Sequence, residues 1–341
     1  MAVTLKQIAD ACGVSRGTVD RALHNRGRVQ PEVAERIREM AEKLGYEPNA
    51  GGRALALMKK EIVIGVILQF AETVFIQSVE EGIHAAAAQM QSYGCRVQVL
   101  KFDGAQPDRV AEAMRELAQE GVSGIAMIAT EHDVIRNEIL ACDERGIRVV
   151  TFNSDLPESG RICFVGEEMR KGGRAAAGLA ADILEPGDKI AVFSGRQESR
   201  VQNERELGFR ETLSQLARKL QITSISHTDD DPQRLLRQLR AALDAEQLPD
   251  AVYINTQGVR EACALLKERG LGRKVRVIVH DLALCRKEDI LDGTIDYVID
   301  ANAFEQGYRP PMILFDLLYH GKVPEQEMYH VEIRIHSKYT I

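Results

Sequence analysis

Near its start the chain reads Gly13-Val14-Ser15-Arg16-Gly17-Thr18-Val19-Asp20-Arg21-Ala22-Leu23-His24-Asn25-Arg26-Gly27-Arg28, with four arginines and a single acid. The planar fork of arginine matches the two acceptors on a guanine edge. Hydroxyls at the start of a helix suit phosphate oxygens. The chemistry on offer is recognition of a polyanion: Arg16 and Arg21 toward bases, Ser15 and Thr18 toward phosphate, with Gly17 between them on the outward face. The competing reading is an amphipathic hairpin whose arginines are only solvated.

A second set of residues could hold a small polar ligand. Asn153 and Asp155 follow "VVTF", Asn255 follows "AVYI", Asp281 follows "VIVH", and Glu72 and Phe75 follow the first apolar run. Carboxylates and amides bind hydroxyls, and an aromatic ring stacks on a sugar face. Each of these Asn and Asp residues could equally be a turn or cap residue. Arg205, inside "NERE", reads as a structural ion-pair residue among its neighbours. No GxGxxG follows a strand, no GxxxxGK[ST] occurs, and no Ser-His-Asp order is convincing, so neither a catalytic residue nor a cofactor is expected. Six cysteines are scattered with no CxxC pair, which argues against zinc and for reduced core thiols.

These residues need a scaffold. Leu5, Ile8, Ala9 and Cys12 recur at helical spacing, Gly13 suits a left-handed turn, and Ser15 suits an N-cap. A third helix starts at Pro31 and closes at Gly45. Ala9, Gly13 and Val19 together fit a helix-turn-helix: a small residue at the crossing, a tight turn, and a β-branched residue facing back. After a connector, "IVIGVIL" (62–68) reads as a strand buried on both faces. Strands at 96–100, 124–128, 147–151, 162–165, 189–193, 221–225, 251–254, 275–279 and 295–299 then alternate with helices, among them 74–92, 107–120, 169–184, 200–219, 233–245, 257–269 and 303–319. Such alternation implies parallel sheets with right-handed crossovers. Its length implies two lobes with a ligand cleft at the carboxyl ends of their strands.

The whole chain of 341 residues carries a net charge of −7, yet residues 1–60 hold eleven Lys and Arg against seven Asp and Glu, a net of +4. A small basic module on an acidic body suits one acidic partner rather than a general polyanion coat. "MAVTLKQIAD" does not resemble a signal peptide and no apolar run approaches about 18 residues, so a cytoplasmic, non-membrane protein is expected.

"VTLKQIADACGVSRGTVDRAL", then "GYEPN", then "GGRALA" running into "IVIGVI", resembles the LacI family of bacterial repressors. The resemblance implies an all-α helix-turn-helix headpiece over residues 1–48 and a hinge helix over 49–60. It implies a periplasmic-binding-protein-like type I ligand domain over 61–341: two doubly wound parallel-sheet α/β lobes, an N-lobe of about 61–166 and 302–329 and a C-lobe of about 167–301 and 330–341. It implies a homodimer on double-stranded operator DNA, with a sugar or sugar-like effector in the cleft. Arg16 and Gly17 then fall at base-reading positions, Arg21 at a supporting one, and Thr4, Ser15, His24 and Arg28 at phosphate positions. Leu55 matches a minor-groove wedge, flanked by Asn49 and Arg53. Asn203 matches a polar ligand contact and Phe75 a stacking aromatic. The alternative functions for this chain are a cytoplasmic solute-binding protein and an α/β sugar-modifying enzyme.

Four departures stand out. Asp20 replaces a common serine, and Gly17 leaves a reading position without a side chain. Gly51-Gly52 weakens a hinge helix by roughly 1 kcal/mol per glycine. Ala301 stands where a glutamine is usual. The strand-like end, "EIRIHSKYTI", favours a dimer over a tetramer.

Overall fold

A computed structural model describes residues 3, 5–23, 29–44, 62–197, 199–216 and 219–341, the side chains of Leu5, Asp20 and Arg21 excepted. The chain divides into two compact units, Met1–Lys60 and Glu61–Ile341.

In the first unit, helices α1 (Leu5–Cys12), α2 (Arg16–Leu23) and α3 (Pro31–Lys43) enclose a small core of Ile8, Ala9, Cys12, Val19, Ala22, Ala34, Ile37 and Ala41. Gly13 takes φ +64° and makes the turn between α1 and α2. Residues with a Cβ rarely adopt that conformation. Val14 N–H closes the turn on the Ala9 carbonyl at 3.0 Å. Arg36 ties α3 back to the end of α1 by donating to the Cys12 carbonyl at 3.1 Å. The Ala9, Gly13, Val19 spacing works as the sequence suggests: Ala9 and Val19 are buried and the turn lies between them.

The second unit holds two six-stranded sheets of the same strand order. In chain order its elements are β1 (Ile62–Gln69), α4 (Val74–Gln91), β2 (Cys95–Phe102), α5 (Pro107–Glu120), β3 (Gly124–Met127), α6 (Asp133–Glu144), β4 (Arg148–Phe152), β5 (Cys163–Gly166), α7 (Met169–Ile183), β6 (Lys189–Ser194), α8 (Arg200–Gln215), β7 (Gln221–His227), α9 (Pro232–Leu243), β8 (Ala251–Asn255), α10 (Val259–Glu268), β9 (Arg276–His280), α11 (Lys287–Leu291), β10 (Tyr297–Asp300), α12 (Ala303–Phe315), β11 (Met328–His330) and β12 (Arg334–His336). One sheet runs β11-β5-β4-β3-β1-β2 and the other β12-β10-β9-β8-β6-β7. All pairings are parallel except β10 with β12. Strands β3, β4, β5, β6 and β8 are buried almost throughout. Continuous apolar strands covered on both faces by helices must be.

Three details differ from the sequence reading. Helix α8 ends at Gln215 rather than 219, and α12 gives way at Phe315 to a wider turn, Asp316–His320. The strand-like C-terminal segment pairs only over Arg334–His336. A turn in which Ser337 N–H donates to Thr340 Oγ1 at 2.9 Å then ends it.

The chain passes between the lobes after β5, between β10 and α12, and between β11 and β12. Beside these crossings each lobe has a helix pair in backbone contact. A Cβ on Gly173 of α7 would lie 1.9 Å from the Arg205 carbonyl oxygen of α8, and one on Gly208 would lie 2.3 Å from the Arg170 carbonyl oxygen. The other lobe repeats the device: Cβ atoms on Gly82 of α4 and Gly307 of α12 would lie 2.0 and 1.8 Å from the carbonyl oxygens of Phe304 and Val79. Gly173 thus serves helix packing.

Candidate functional site

The first site is the start of α2. Ser15 Oγ accepts from Thr18 N–H at 3.1 Å and shares a 2.9 Å hydrogen bond with Thr18 Oγ1. The serine is therefore the N-cap. Arg16 and Gly17 are exposed beside it. Among the described residues a Cβ at position 17 would meet only Ser15 Oγ, at 3.8 Å. Arg21 lies on α2. Thr4, His24, Arg28, Asn49, Arg53 and Leu55, and the side chains of Arg21 and Asp20, lie outside the described residues.

The second site is a cavity of about 310 Å³ between the lobes of the second unit. That is near the lower end of ligand-pocket sizes, roughly 300 to 1000 Å³. Strand ends build it. Asn153, just past β4, and Asp281, just past β9, sit at φ +61° and +68°. Asn and Asp tolerate this left-handed region better than other residues with a Cβ, and here it turns each side chain at a strand's end. Asn153 Nδ2 donates to Gln306 Oε1 at 3.2 Å, and Gln306 Nε2 donates to the Ala301 carbonyl at 2.7 Å. Gln306 thus ties the Asn153 amide to the Ala301 backbone.

The C-lobe wall centres on Arg205. Its side chain is 4% exposed. Nε donates to Glu167 Oε2 at 2.8 Å, and Nη2 is 2.5 Å from the same oxygen. Nη1 and Nη2 form a fork on Asp281 at 3.0 and 3.2 Å, and Nη1 reaches Asn255 Oδ1 at 3.4 Å. Such two-pronged pairing is the strong form of an arginine–carboxylate contact. Burial alone would lower the Arg205 pKa, but Asp281 and Glu167 raise it, so the guanidinium keeps its charge. Burial pushes the Glu167 carboxyl up to about 7 against the pull of Arg205, with Asp281 adding to the rise. His280, in the same layer, is driven well below the ordinary imidazole value by burial and the Arg205 charge, and is neutral.

Along the rim, Gln202 Oε1 accepts from the Arg196 backbone N–H at 2.8 Å, and its Nε2 donates to Asp230 at 2.7 Å. Thr256 donates to the same carboxylate at 3.1 Å. The facing N-lobe wall has an apolar patch of Phe75, Ile76, Pro107 and Ile128 beside the polar Thr130, Glu131, His132 and Asn153. Arg196 reaches across to it, 4.6 Å from the Phe70 ring centroid and 3.5 Å from Glu72.

Of the candidate ligand residues, Phe75, Asn153, Asp155, Asn255 and Asp281 line the cavity. Asp155 does so with its carboxylate already engaged by Arg161, at 2.5 and 2.7 Å, and by Thr151 at 2.6 Å. Asn203 does not line it: its Nδ2 donates to the Gln197 carbonyl, and the residue before it, Gln202, faces the cleft. Glu72 is outside the lining and accepts from Gly104 N–H. Arg205 corrects the sequence reading, since its partners are Glu167 and Asp281 rather than neighbours in "NERE". Arg196, Gln202, Arg205 and Asp230 were not among the candidates. For Arg196 a signal was present, because it follows strand β6 as Asp281 follows β9.

With this geometry in view, comparison with known proteins is direct. Residues 64–322 match the family described as periplasmic binding protein domain, and residues 4–49 match bacterial regulatory proteins of the lacI family. The HTH-type transcriptional regulator CelR of Thermobifida fusca is 27% identical over 277 residues, 80% of this chain and 78% of the relative. Catabolite control protein A of Priestia megaterium is 24% identical over 75% of this chain and 74% of its own length. A solute-binding protein from Burkholderia graminis, crystallised with D-arabinose, superposes with a TM-score of 0.73 at 21% identity, covering 82% of this chain and 96% of that one. The fold and headpiece together define a DNA-binding transcriptional regulator with a periplasmic-binding-protein-type sensor domain. The chain belongs to the LacI family.

Proposed function

We propose that this regulator is a repressor that binds a pseudo-palindromic operator as a homodimer, and that a sugar or sugar-like effector in the interlobe cleft sets its DNA affinity. The observation that carries the effector half is the combination of linings: the polar Arg205, Asp281 and Asn255 cluster shares a cavity of about 310 Å³ with the apolar patch of Phe75 and Ile76. A polyhydroxylated ring has polar edges for the first and apolar C–H faces for the second. Arg16 and Gly17 read bases, Arg21 supports them, and Leu55 is the minor-groove wedge. One headpiece contacts little DNA, so affinity requires two half-sites. The effector acts by binding one interlobe angle better than another.

The headpiece is what favours this reading over a free-standing solute-binding protein. The test is binding to promoter fragments at two salt concentrations, with and without a panel of pentoses, hexoses and their phosphates. Binding that weakens with salt and shifts with one sugar is expected. Salt-insensitive or absent binding to every fragment rejects the DNA half. Absence of any thermal shift across the panel rejects the sugar half.

A further inference from the structure

We infer that Glu167 is a positioning residue for Arg205, holding its guanidinium against the ligand wall from the segment where the chain first crosses between the lobes. The inference rests on reading the cleft as the effector site. Glu167 lies between β5 of one sheet and α7 of the other lobe. It is buried, and both contacts it makes to Arg205 use one carboxylate oxygen. An arginine has five N–H donors. Glu167, Asp281 and Asn255 accept four hydrogen bonds from them, and Nη2 also lies 2.5 Å from Glu167 Oε2, so the guanidinium cannot turn about its Nε–C bond without losing contacts.

The site is built for this contact. A Cβ on Gly172 would fall 1.9 Å from Glu167 Oε1 and 3.1 Å from the His280 ring, so only glycine leaves room for the carboxylate. The close approach of Gly173 to the Arg205 carbonyl and of Gly208 to the Arg170 carbonyl brings α7 onto α8, which places position 167 beside position 205. Among the described residues the second oxygen, Oε1, is buried without a hydrogen-bond partner, as are both ring nitrogens of His280. That arrangement supplies little reason for a buried acid apart from the arginine. The charged or titratable groups facing it are Arg205 on α8, His280 and Asp281 on and after β9, Tyr253 on β8 and Asp300 on β10. Among these, His280 is held neutral, Tyr253 is raised by burial, and Asp300 is raised by burial and by Asp281.

The full chain, labelled with ¹⁵N arginine, tests the role without knowledge of the effector. The Arg205 Nε–H resonance is assigned by its loss in Arg205→Lys, and its hydrogen exchange is compared among wild type, Glu167→Gln and Glu167→Ala. Exchange at least tenfold faster in Glu167→Ala, and within threefold of wild type in Glu167→Gln, is expected because the amide oxygen still accepts. Unchanged exchange in Glu167→Ala overturns the proposal. If Glu167→Ala does not fold, the ratio of wild-type to Glu167→Gln exchange between pH 6 and 8 decides. A ratio that changes supports the role, and a constant ratio refutes it. D-ribose and D-glucose serve as binding probes by calorimetry. A sugar that binds wild type should bind Glu167→Ala at least tenfold more weakly and Glu167→Gln within threefold, and equal affinity in Glu167→Ala overturns the positioning role. If neither sugar binds wild type, the choice of sugar class fails while the exchange result still decides for or against Glu167.

Discussion

Arg196 and Phe70 belong to different lobes, and the guanidinium of the first stands 4.6 Å from the ring centroid of the second. Phe70 takes φ +57°, and the same arginine is 3.5 Å from Glu72. Positive φ is unusual for a bulky residue. A cation over a ring contributes about 0.5–1 kcal/mol at an exposed site and more when desolvated. Arg196→Ala should therefore open the effector-free cleft. Spin labels, one on each lobe, should report a longer and broader distance distribution in the variant. An unchanged distribution would show that the contact does not hold the lobes.

Two glycines of one helix should respond oppositely to alanine. A methyl added at Gly178 would meet no atom of the described residues within 4 Å. Gly178→Ala therefore gains helix propensity and should stabilise by about 0.5–1 kcal/mol. Gly173→Ala drives a methyl into the Arg205 carbonyl, 1.9 Å away. That overpacking should destabilise by about 1–3 kcal/mol or more. Urea denaturation of the two variants checks the signs.

Arg161 and Asp155 form a buried pair, with side chains 3% and 6% exposed. Truncating one partner strands the other charge, at a cost of about 3–5 kcal/mol. Arg161→Met should lose that much stability, and Arg161→Met with Asp155→Leu should recover most of it. A double variant no more stable than Arg161→Met contradicts the pairing.

Two buried groups should oppose each other in acid. Glu167 is raised from 4.5 to about 7, so the native state holds the extra proton, and its contribution is full below 4.5 and lost as pH rises through 7. His280 is lowered from 6.5, so the unfolded state takes the proton, and its contribution is lost as pH falls through 6.5. Below 6.5, down to the higher of 4.5 and the lowered His280 value, the two slopes have opposite signs, each being up to about 1.4 kcal/mol per pH unit. Glu167→Gln removes one of them. Its stability should fall more steeply than wild type from pH 6.5 to 5, as urea midpoints would show; parallel profiles would contradict the assignment.

Arg16→Ala should relax base preference at one position of each half-site, while Gly17→Ala should fold normally because a Cβ at position 17 meets no described atom closer than 3.8 Å. In-vitro selection of binding sequences measures the first. An unchanged preference in Arg16→Ala would move base reading elsewhere on α2.

Local spacing made the headpiece legible: Ala9, Gly13 and Val19 lie within eleven residues, and each does what its size and backbone freedom suggest. Strand ends were legible too, which is why Asn153, Asn255 and Asp281 were found. Helix phase was not. Helix α8 begins "RVQNERE", polar on every side, so nothing in its pattern distinguishes Gln202, which faces the cleft, from Asn203, which does not. Arg205 was misread for a related reason. Its partners lie 38 and 76 residues away, and its neighbours offered acids enough to suggest a local pair.

The three crossings between sheets have a consequence for signalling. Each lobe carries a helix pair locked backbone to backbone by glycines, so neither lobe has much internal give, and relative motion is concentrated in three short connections. Three tethers side by side leave little besides a change of one angle. Effectors of unlike chemistry must then be sensed on a single scale, and substitutions in either lobe should shift the regulator along that same scale. Their effects on DNA affinity should rank in the order of their effects on lobe separation.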